Sequence, residues 1–256
     1  MKTVLITGAC TNTGVAIVEK FAGEGYDVIF TGRNKEKVYA KEREYQEKFP
    51  SVTIWGYPID SLLDEITVDE ASVKKMFADI DSRGMFVDTV VLNAANQGIG
   101  MNIFVNPLTD FMKVINTNIV WNFCISKQAA ERMKDNGGGN IVFINSNTAY
   151  RAIPDRTAYV TSKGGQLGLM RALALDLGKY NIRVNAVLPG MIRTNRFYES
   201  PEDYKAMPSF FTPIGDIADG SDIADAAYYF AANARNTTGA ELVVDGGNTI
   251  QLYPIM

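Results

Sequence analysis

The chain of 256 residues contains no histidine. This absence excludes Ser-His-Asp and Cys-His catalysis and any metal site that needs imidazole ligands. Only 2 cysteines are present, Cys10 and Cys124, which are too few for a disulfide scaffold and are typical of the reducing cytoplasm. Any proton chemistry must therefore use tyrosine, lysine, cysteine or a carboxylate.

Excess basic charge and long apolar runs are also absent. The chain has 25 Lys and Arg residues and 29 Asp and Glu residues, so its net charge is slightly negative. This argues against a nucleic-acid-binding protein that works through a broad basic field. No apolar run approaches the ~18 residues that span a bilayer, and the N-terminal MKTVLITG lacks the pattern of a secretory signal. With 46% hydrophobic and 21% charged residues, the composition is that of a globular protein.

Short apolar runs alternate with helical patterns along the whole chain. The run 4–6, the helical pattern after it and the run 28–30 have the order of a βαβ unit. Further helices are predicted near 35–48, 69–81, 108–135, 157–179 and 221–232, and further strands near 52–57, 90–92, 141–144, 182–187 and 242–244. This alternation predicts a single α/β domain over 1–256, doubly wound around a parallel sheet of about seven strands with helices on both faces.

The segment 191–217 breaks this rhythm with an irregular, proline-rich sequence. Irregular connections of this length are often lids or binding loops, and we predict a substrate lid here. The alternative is a surface excursion that packs on the body or on a neighbouring subunit. As a lid, the segment would suit a bulky apolar or ring substrate through the side chains of Phe197, Tyr198, Met207, Phe210 and Phe211. The segment also contains Tyr204.

A glycine-containing turn, TGACTNTG at 7–14, follows the first strand directly. Ligands of open α/β sheets bind at this edge, where helix N-terminal amides face an anion such as a pyrophosphate. Gly8 allows a sharp turn and Gly14 close helix packing, while Asn12, the non-glycine residue that best tolerates positive φ, stands where a middle glycine is expected. The position of this turn predicts a dinucleotide site, although glycine also marks ordinary βα turns.

The second strand ends in the sequence FTGRN at 30–34, with no acidic residue to bind a ribose 2′-hydroxyl. Arg33 offers instead a guanidinium fork that matches a 2′-phosphate, so we predict NADP(H) in preference to NAD(H). A surface ion pair for Arg33 is the alternative. Asp60 and Asn93, after the third and fourth strands, are candidates for contacts to the adenine and the adenosine, or else are ordinary turn residues.

Tyr159 and Lys163 stand four residues apart in a predicted helix and therefore share a face. Ser146 lies just beyond the fifth strand at the same sheet edge, and Asn116 and Asn118 precede a helix that leaves this edge. These residues suit proton transfer by a phenol, with the Ser146 hydroxyl holding the substrate oxygen. Because free tyrosine has a pKa of ~10, we expect the Lys163 ammonium and an oxidised nicotinamide to lower the pKa toward ~7, which takes ~4 kcal/mol.

Taken in order, these motifs resemble those of the short-chain dehydrogenase/reductase family over nearly the whole chain. The pieces that carry the resemblance are Thr7-Gly8…Gly14, Asn93-Ala94-Ala95, Ser146, Tyr159-x-x-x-Lys163, Arg183-Val184-Asn185, Pro189-Gly190-Met191-Ile192-Arg193-Thr194 and Val244-Asp245-Gly246-Gly247. The resemblance implies a Rossmann-type domain and a nicotinamide-dependent interconversion of an alcohol and a carbonyl compound.

The resemblance also implies a role for each site residue. Tyr159 would be the acid/base, Ser146 the ligand of the substrate oxygen, Lys163 the ligand of the nicotinamide ribose, and Asn118, rather than Asn116, the anchor of a water in the proton relay. No metal is expected. The expected cofactor-binding residues are Gly8, Thr11, Asn12, Thr13, Gly14, Arg33, Asn34, Asp60, Asn93, Ala94, Tyr159, Lys163, Pro189, Gly190, Ile192 and Thr194, of which Ile192 and Thr194 would face the carboxamide and a phosphate.

The sequence departs from the family pattern in the cofactor region. Asn12 replaces a glycine of the loop, Leu92 and Ala95 replace the first Asn and the Gly of the usual Asn-Asn-Ala-Gly, and residues are added around 62–65. The catalytic positions are all filled. Cys10, within the phosphate loop, is a small filler side chain or an oxidation-sensitive thiol.

Four arginines, Arg151, Arg156, Arg193 and Arg196, lie near the expected substrate mouth. They either bind an anionic group of the substrate or are solvated and paired with acidic residues of the segment, namely Glu199, Glu202 and Asp203. We expect an NADP(H)-dependent ketoreductase for a 3-oxoacyl, steroid-like or other cyclic carbonyl compound. The alternatives are a non-catalytic dinucleotide-binding or redox-sensing protein and a sugar or polyol dehydrogenase that uses NAD(H).

The expected partners are a small carbonyl or alcohol substrate and further copies of the same chain, with no nucleic acid and no membrane. The resemblance implies a homotetramer, or a dimer, that assembles through helices at about 107–135 and 157–179.

Overall fold

A parallel sheet of seven strands forms the centre of the molecule, in the order β3-β2-β1-β4-β5-β6-β7. The computed structural model describes residues 2–64, 66–206 and 208–252. Each strand pairs in parallel with its neighbours, which confirms the predicted α/β fold. The strands are β1 (Thr3–Ile6), β2 (Asp27–Gly32), β3 (Ile54–Pro58), β4 (Thr89–Leu92), β5 (Gly139–Ile144), β6 (Ile182–Pro189) and β7 (Glu241–Val244).

Helices connect the strands and cover both faces of the sheet. They are α1 (Asn12–Gly23), α2 (Lys35–Lys48), α3 (Glu70–Ser82), α4 (Leu108–Ile115), α5 (Trp121–Met133), α6 (Thr157–Leu177), α7 (Asn195–Glu199), α8 (Glu202–Ala206), α9 (Pro208–Phe211) and α10 (Gly220–Tyr228). The predicted helices match the longer ones to within a few residues, because their apolar spacing is a local property of the sequence.

The predicted helix over 108–135 differs from a single α-helix. A π-helical turn, Asn116–Val120, separates α4 from α5. Such turns add one residue to the helical repeat and often lie at functional sites. Here the turn carries Asn118, one of the predicted catalytic residues, and buries it completely.

The expectation of an irregular connection over 191–217 is wrong in part, because three short helices, α7 to α9, lie within it. Two of the three prolines that suggested irregularity lie at helix starts, and Pro213 follows α9. Pro201 directly precedes α8 and Pro208 is the first residue of α9, positions where the missing N–H of proline has no intrahelical partner to lose.

Alternate residues of the strands enter two hydrophobic cores, one on each face of the sheet. In β1, Val4 and Ile6 belong to the core beneath α1 and α10, while Leu5 belongs to the core beneath α3, α5 and α6. This alternation follows from the two-residue repeat of a strand that is covered on both sides.

The sheet topology places a cleft at the carboxyl ends of the strands. Strand order reverses between β1 and β4, and the switch point of an open α/β sheet is where its ligands bind. The turns that follow β1, β4, β5 and β6 all reach this edge. Within the described ranges, no helix is both long enough and apolar enough to cross a bilayer.

Candidate active site

A cleft of about 1290 Å³ runs along the carboxyl edge of the sheet. Of the predicted catalytic and cofactor-binding residues, all except Asn34 and Asn118 line this cleft. Asn34 borders an adjoining recess, and Asn118 lies buried behind the cleft wall. The fold therefore brings together residues that are far apart in the chain; the side chain of Asn12, for example, meets the backbone of Asn195, 183 positions away.

The turn between β1 and α1 has the geometry that a pyrophosphate requires. Gly8 has φ +66°, and a Cβ there would lie 2.9 Å from the Cα of Ala94. At Gly14 a Cβ would lie 2.4 Å from the carbonyl oxygen of Gly8, so neither position accepts a side chain. The Thr11 side chain makes no capping hydrogen bond to α1, so the first amides of the helix are left without a side-chain partner at the cleft.

Asn12 adopts the positive φ that the sequence analysis proposed for it, at 48°. Its side-chain oxygen accepts a hydrogen bond of 3.0 Å from the backbone N–H of Asn195, at the start of α7. Asn12 thus takes the backbone conformation of a glycine and also ties the phosphate turn to the segment over the cleft, which a glycine could not do.

The side-chain amide nitrogen of Asn93 binds backbone carbonyls of the protein and not a ligand. Its Nδ2 donates to the carbonyl oxygens of Thr7 and Gly8, each at 3.0 Å. The Thr7 hydroxyl in turn accepts from the backbone N–H groups of Asn93 and Ala94, each at 3.0 Å. These bonds join the ends of β1 and β4 across the switch point and fix the turn around Gly8.

A recess of about 430 Å³ adjoins the cleft beyond the end of β2. It is lined by Cys10, Arg33, Asn34, Lys37 and Asp60. Within the described part of the chain, Arg33 has no ion pair, so the alternative of a surface ion pair finds no support. Asn34 caps α2 by accepting a 2.8 Å hydrogen bond from the backbone N–H of Lys37. The basic side chains that line the recess are those of Arg33 and Lys37.

Cys10 matches the filler interpretation. Its sulfur lies 2.6 Å from the position that a Cβ at Gly32 would take, so it packs directly against β2. Burial raises the pKa of the Cys10 thiol, although Lys41 and Lys37 oppose this. A raised pKa reduces the thiolate fraction on which oxidation depends.

Lys163 is fully buried and has no acidic partner in the described structure. Its Nζ donates to the carbonyl oxygen of Ile144 at 3.0 Å and to Oε1 of Gln166 at 3.2 Å, and it lies 5.5 Å from the ring centroid of Tyr159. Burial, which disfavours the ammonium, lowers the pKa of Lys163 to about 7. The side chain is therefore poised between charged and neutral forms at neutral pH.

Tyr159 differs from the sequence expectation in its pKa. Burial raises the pKa of the phenol, and the nearby Ser146 and Arg156 side chains oppose the rise without reversing it. Lys163 does not contribute to this opposition, and burial shifts Lys163 itself toward its neutral form. At neutral pH the Tyr159 hydroxyl of the protein therefore keeps its proton and is a donor.

The Ser146 hydroxyl is oriented by Thr148. Its oxygen accepts hydrogen bonds from the backbone N–H of Thr148 at 3.2 Å and from the Thr148 hydroxyl at 3.0 Å. With both lone pairs occupied, the remaining O–H of Ser146 can only donate. Ser146 and Tyr159 thus both present a proton to the cleft.

Asn118, and not Asn116, belongs to the buried polar network beside α6. Its Oδ1 accepts from Asn96 N–H at 2.7 Å, and its Nδ2 donates to the Asn96 carbonyl and to the Ser162 hydroxyl, each at 2.9 Å. Asn116 instead donates to the Ile66 carbonyl at 2.6 Å, away from this network.

Two of the four mouth arginines are occupied by the protein itself. Arg193 pairs with Asp216 and with Asp219, the latter at 3.3 Å. Arg151 donates through Nη1 to backbone carbonyls near the C-terminus, those of Asn248, Thr249 and Gln251.

Arg156 and Arg196 instead line the cleft, together with Phe197, Tyr204 and Phe211 of the predicted lid. Tyr198 and Phe210 are exposed and do not line it, and Met207 lies outside the described residues.

The chain matches known proteins over nearly its whole length. The family model described as Enoyl-(Acyl carrier protein) reductase matches residues 8–249. The chain belongs to the short-chain dehydrogenase/reductase family. A structure of a short-chain type dehydrogenase/reductase from Mycobacterium ulcerans superposes with a TM-score of 0.88 at 25% identity, covering 99% of this chain and 92% of that one.

Two curated relatives align over nearly their whole length with this short-chain dehydrogenase/reductase. It is 31% identical over 247 residues to 3alpha-hydroxysteroid dehydrogenase of Mediterraneibacter gnavus, with 96% of each chain covered. It is 33% identical over 258 residues to NADP-dependent (R)-specific alcohol dehydrogenase of Lentilactobacillus kefiri, covering 98% of this chain and 97% of the relative. The chain is therefore an oxidoreductase that acts on CH–OH groups with a nicotinamide dinucleotide.

Sequence reasoning missed several polar residues of the site, above all Gln166. This residue lies three positions after Lys163, one turn farther along the same face of α6, and is completely buried. A glutamine between Gly165 and Leu167, on the side of a helix that faces the core, was the signal that could have revealed it. Among the described residues, no group of three or more Cys, Asp or Glu side chains is arranged to hold a metal ion.

Proposed function

We propose that this protein is an NADP(H)-dependent ketoreductase that reduces a bulky or cyclic ketone to a secondary alcohol. The observation that carries the proposal is the pair of hydroxyl donors, Ser146 and Tyr159, at a cleft whose floor holds the buried Lys163. The cofactor, when bound, supplies the hydride, and the protein must orient the carbonyl and deliver one proton.

Proton delivery falls to Tyr159. Because burial raises its pKa, the phenol is protonated at neutral pH and can donate to a carbonyl oxygen as negative charge develops there. The Ser146 O–H, held by Thr148, supplies a second donor to the same oxygen. Reduction thus leaves Tyr159 as a phenolate beside Lys163, whose ammonium form stabilises that anion and can return a proton to it.

Preference for NADP(H) rests on the recess beyond β2. Arg33 and Lys37 both border it, and Arg33 has no ion pair in the described structure. A guanidinium fork matches the oxygens of a 2′-phosphate. The relative from Lentilactobacillus kefiri, named as NADP-dependent, supports the same assignment.

The preference for a bulky or cyclic substrate rests on the walls of the cleft. Phe197, Tyr204 and Phe211 of the lid segment line it, and apolar surfaces of this kind bind rings and chains. The hydroxysteroid dehydrogenase among the relatives supports a ring substrate. We also propose a homo-oligomer, since Leu108, Phe123 and Leu175 expose apolar surface on the helices expected at the interface. A cytoplasmic location is proposed because Cys10 and Cys124 are both free thiols.

A carbonyl panel tests the proposal. Purified protein is mixed with NADPH, and loss of nicotinamide absorbance is followed with cyclohexanone, 2-octanone, an oxo-steroid and a keto sugar. We expect consumption of NADPH with the cyclic or bulky ketones and slower consumption with NADH. Binding of NADPH without consumption in any of these reactions, in either direction, would favour the non-catalytic dinucleotide-binding alternative.

A further inference from the structure

Two arginines face the substrate end of the cleft without an acidic partner. Arg156 is the residue directly before α6, three positions before Tyr159, and its Nη1 donates to the backbone carbonyl of Gln97 at 2.7 Å. Arg196 lies in α7 of the lid segment. Neither side chain takes part in any of the ion pairs between described residues, although both line the cleft.

Asp155, Glu199 and Asp203 lie nearby in the chain, but none of them forms an ion pair with Arg156 or Arg196 among the described residues. Arg193 is paired with Asp216 and Asp219, while Glu202 is paired with Lys205 at 2.8 Å. Both arginines line the same cleft, and repulsion from Arg196 adds to burial in lowering the pKa of Arg156. Arg156 is half-buried and Arg196 is exposed at the cleft, so both guanidinium groups are accessible to an anion that enters it.

The position of this pair selects one part of a substrate. Arg156 lies directly before α6, three positions before Tyr159, and both line the cleft, so a group bound to Arg156 can belong to the molecule whose carbonyl meets the phenol. Guanidinium groups bind carboxylates and phosphates through two parallel hydrogen bonds. A neutral steroid or alcohol would leave both arginines without an anionic partner.

We propose that Arg156 and Arg196 form a subsite for an anionic group of the substrate, so that the substrate is a ketone that also carries a carboxylate or a phosphate. This inference rests on the proposed ketoreductase function, since it names a property of the same substrate. It assigns the lid a second purpose besides apolar contact: α7 delivers Arg196 to the anion as the segment packs over the bound molecule.

Matched acids and esters test the subsite. The probes are 5-oxohexanoate and 7-oxooctanoate against their methyl esters, and dihydroxyacetone phosphate against dihydroxyacetone. They are assayed with NADPH on the wild-type protein and on Arg156→Gln and Arg196→Gln. Arg43→Gln, an exposed position on α2, is the control for loss of one positive charge.

We expect kcat/KM for the acid to exceed that for its ester by at least about tenfold in the wild type. Each cleft variant should lose most of this preference, while Arg43→Gln keeps it. A preference confined to the phosphate pair would identify a phosphorylated substrate. Equal values for acid and ester, or a preference that survives both cleft variants, would overturn the inference while leaving the ketoreductase function intact.

Binding measurements separate this inference from the function on which it rests. The affinity of the NADPH complex for octanoate and for 1-octanol is measured by calorimetry in the same variants, without any turnover. Octanoate should bind more tightly, and only the cleft variants should lose the difference. Weakening of NADPH binding itself by Arg156→Gln and Arg196→Gln would assign these arginines to the cofactor and would contradict the subsite.

A separate observation concerns the buried amide of Gln166. Its Oε1 accepts from Lys163 Nζ at 3.2 Å and from Asn145 Nδ2 at 3.0 Å, while its Nε2 donates to the backbone carbonyl of Asn118 at 2.6 Å. One side chain thereby joins the lysine to the π-helical turn. Burial is the cause of the lowered pKa of Lys163. The charged side chains close to Tyr159 are Lys163, 5.5 Å from its ring centroid, and Arg156, which opposes the rise in its pKa.

We infer that Gln166 is a positioning residue, which holds the Lys163 ammonium in place. Its amide also binds the backbone carbonyl of Asn118, the residue that the family resemblance expects to anchor a water. The amide accepts from the charged lysine, so it favours the ammonium over the neutral amine against the effect of burial. Replacement of this acceptor must change the protonation of Lys163 and, through it, the ionisation of Tyr159.

The pH dependence of kcat tests this role in Gln166→Glu and Gln166→Met. A carboxylate at this position raises the pKa of Lys163, so the limb of the profile that reports the lysine should move to higher pH by at least about one pH unit. The isosteric methionine removes the acceptor and should move the limb to lower pH, with a fall in kcat and little change in the Kd of NADPH. Unchanged pH limbs in a folded variant would make Gln166 a purely structural residue.

Discussion

Asn118 and Asn96 exchange two hydrogen bonds, from Asn96 N–H to Asn118 Oδ1 at 2.7 Å and from Asn118 Nδ2 to the Asn96 carbonyl at 2.9 Å. The pair joins the loop after β4 to the π-helical turn between α4 and α5. Because the turn adds a residue to the helix, Asn118 points into the protein, where the Asn118 backbone carbonyl also receives Gln166. The catalytic helix and the cofactor edge of the sheet are thus connected through one asparagine.

Replacement of Asn118 should therefore affect both stability and rate. In Asn118→Leu the buried Asn96 N–H and the Ser162 hydroxyl lose partners, and we expect a loss of about 1–3 kcal/mol in the free energy of unfolding. Turnover should fall by at least about tenfold, since Lys163 is held through the same network. Urea unfolding and NADPH consumption measure the two effects.

Asn116→Leu is the matched control, because this side chain lies outside the network and makes its bond to Ile66 on the exposed side. An equal loss of activity in both variants would show that the π-helical turn as a whole matters, and not the Asn118 amide.

Cofactor choice provides a second prediction. Removal of the guanidinium in Arg33→Ala should weaken NADPH binding by about tenfold or more and change NADH binding little, because only NADPH carries the 2′-phosphate. Titration of protein fluorescence with each dinucleotide measures the two Kd values, and Arg43→Ala controls for the change in net charge. If Arg33→Ala weakened both dinucleotides equally, Arg33 would have no part in discrimination.

The buried Lys163 predicts how stability depends on pH. Its pKa is about 7 in the folded protein against an ordinary value of 10.5, so between these values the unfolded chain binds more protons than the folded protein. The cost of burying the ammonium is present in full below pH 7 and disappears as the pH rises toward 10.5. The free energy of unfolding should accordingly rise by about 2 kcal/mol between pH 7 and 8.5 from this group alone.

Comparison of the wild type with Lys163→Met isolates this contribution. The variant has no group that titrates at this position. The free energy of unfolding of the wild type, relative to that of the variant, should therefore increase as the pH rises. A pH-independent difference would mean that Lys163 titrates near its ordinary value in the folded protein.

The parts of the site that the sequence predicted are those encoded by local pattern. The glycine turn at Gly8 and Gly14, the positive φ of Asn12 and the face shared by Tyr159 and Lys163 each depend on residues within a few positions of one another, and fixed strand and helix repeats carry that information. The sheet edge then follows from the alternation of strands and helices, because carboxyl ends of parallel strands meet on one side.

The parts that the sequence did not predict depend on tertiary packing. Gln166 became a partner of Lys163 only through the burial of α6 against the π-helical turn, and glutamine is ordinarily a surface residue in helices. The raised pKa of Tyr159 has the same origin, since desolvation is set by packing and not by spacing. Equally, the partners of Arg193 are Asp216 and Asp219, which lie more than twenty positions away along the chain, and not the acidic residues nearer to it.

The most direct measurement is the single-turnover reduction of a ketone by Tyr159→Phe, compared with the wild type at saturating NADPH. The variant keeps the ring and the packing and loses only the hydroxyl, so NADPH should bind with nearly unchanged Kd while the rate of reduction falls by at least about 100-fold. Reduction at the wild-type rate by the variant would contradict the assignment of Tyr159 as the proton donor.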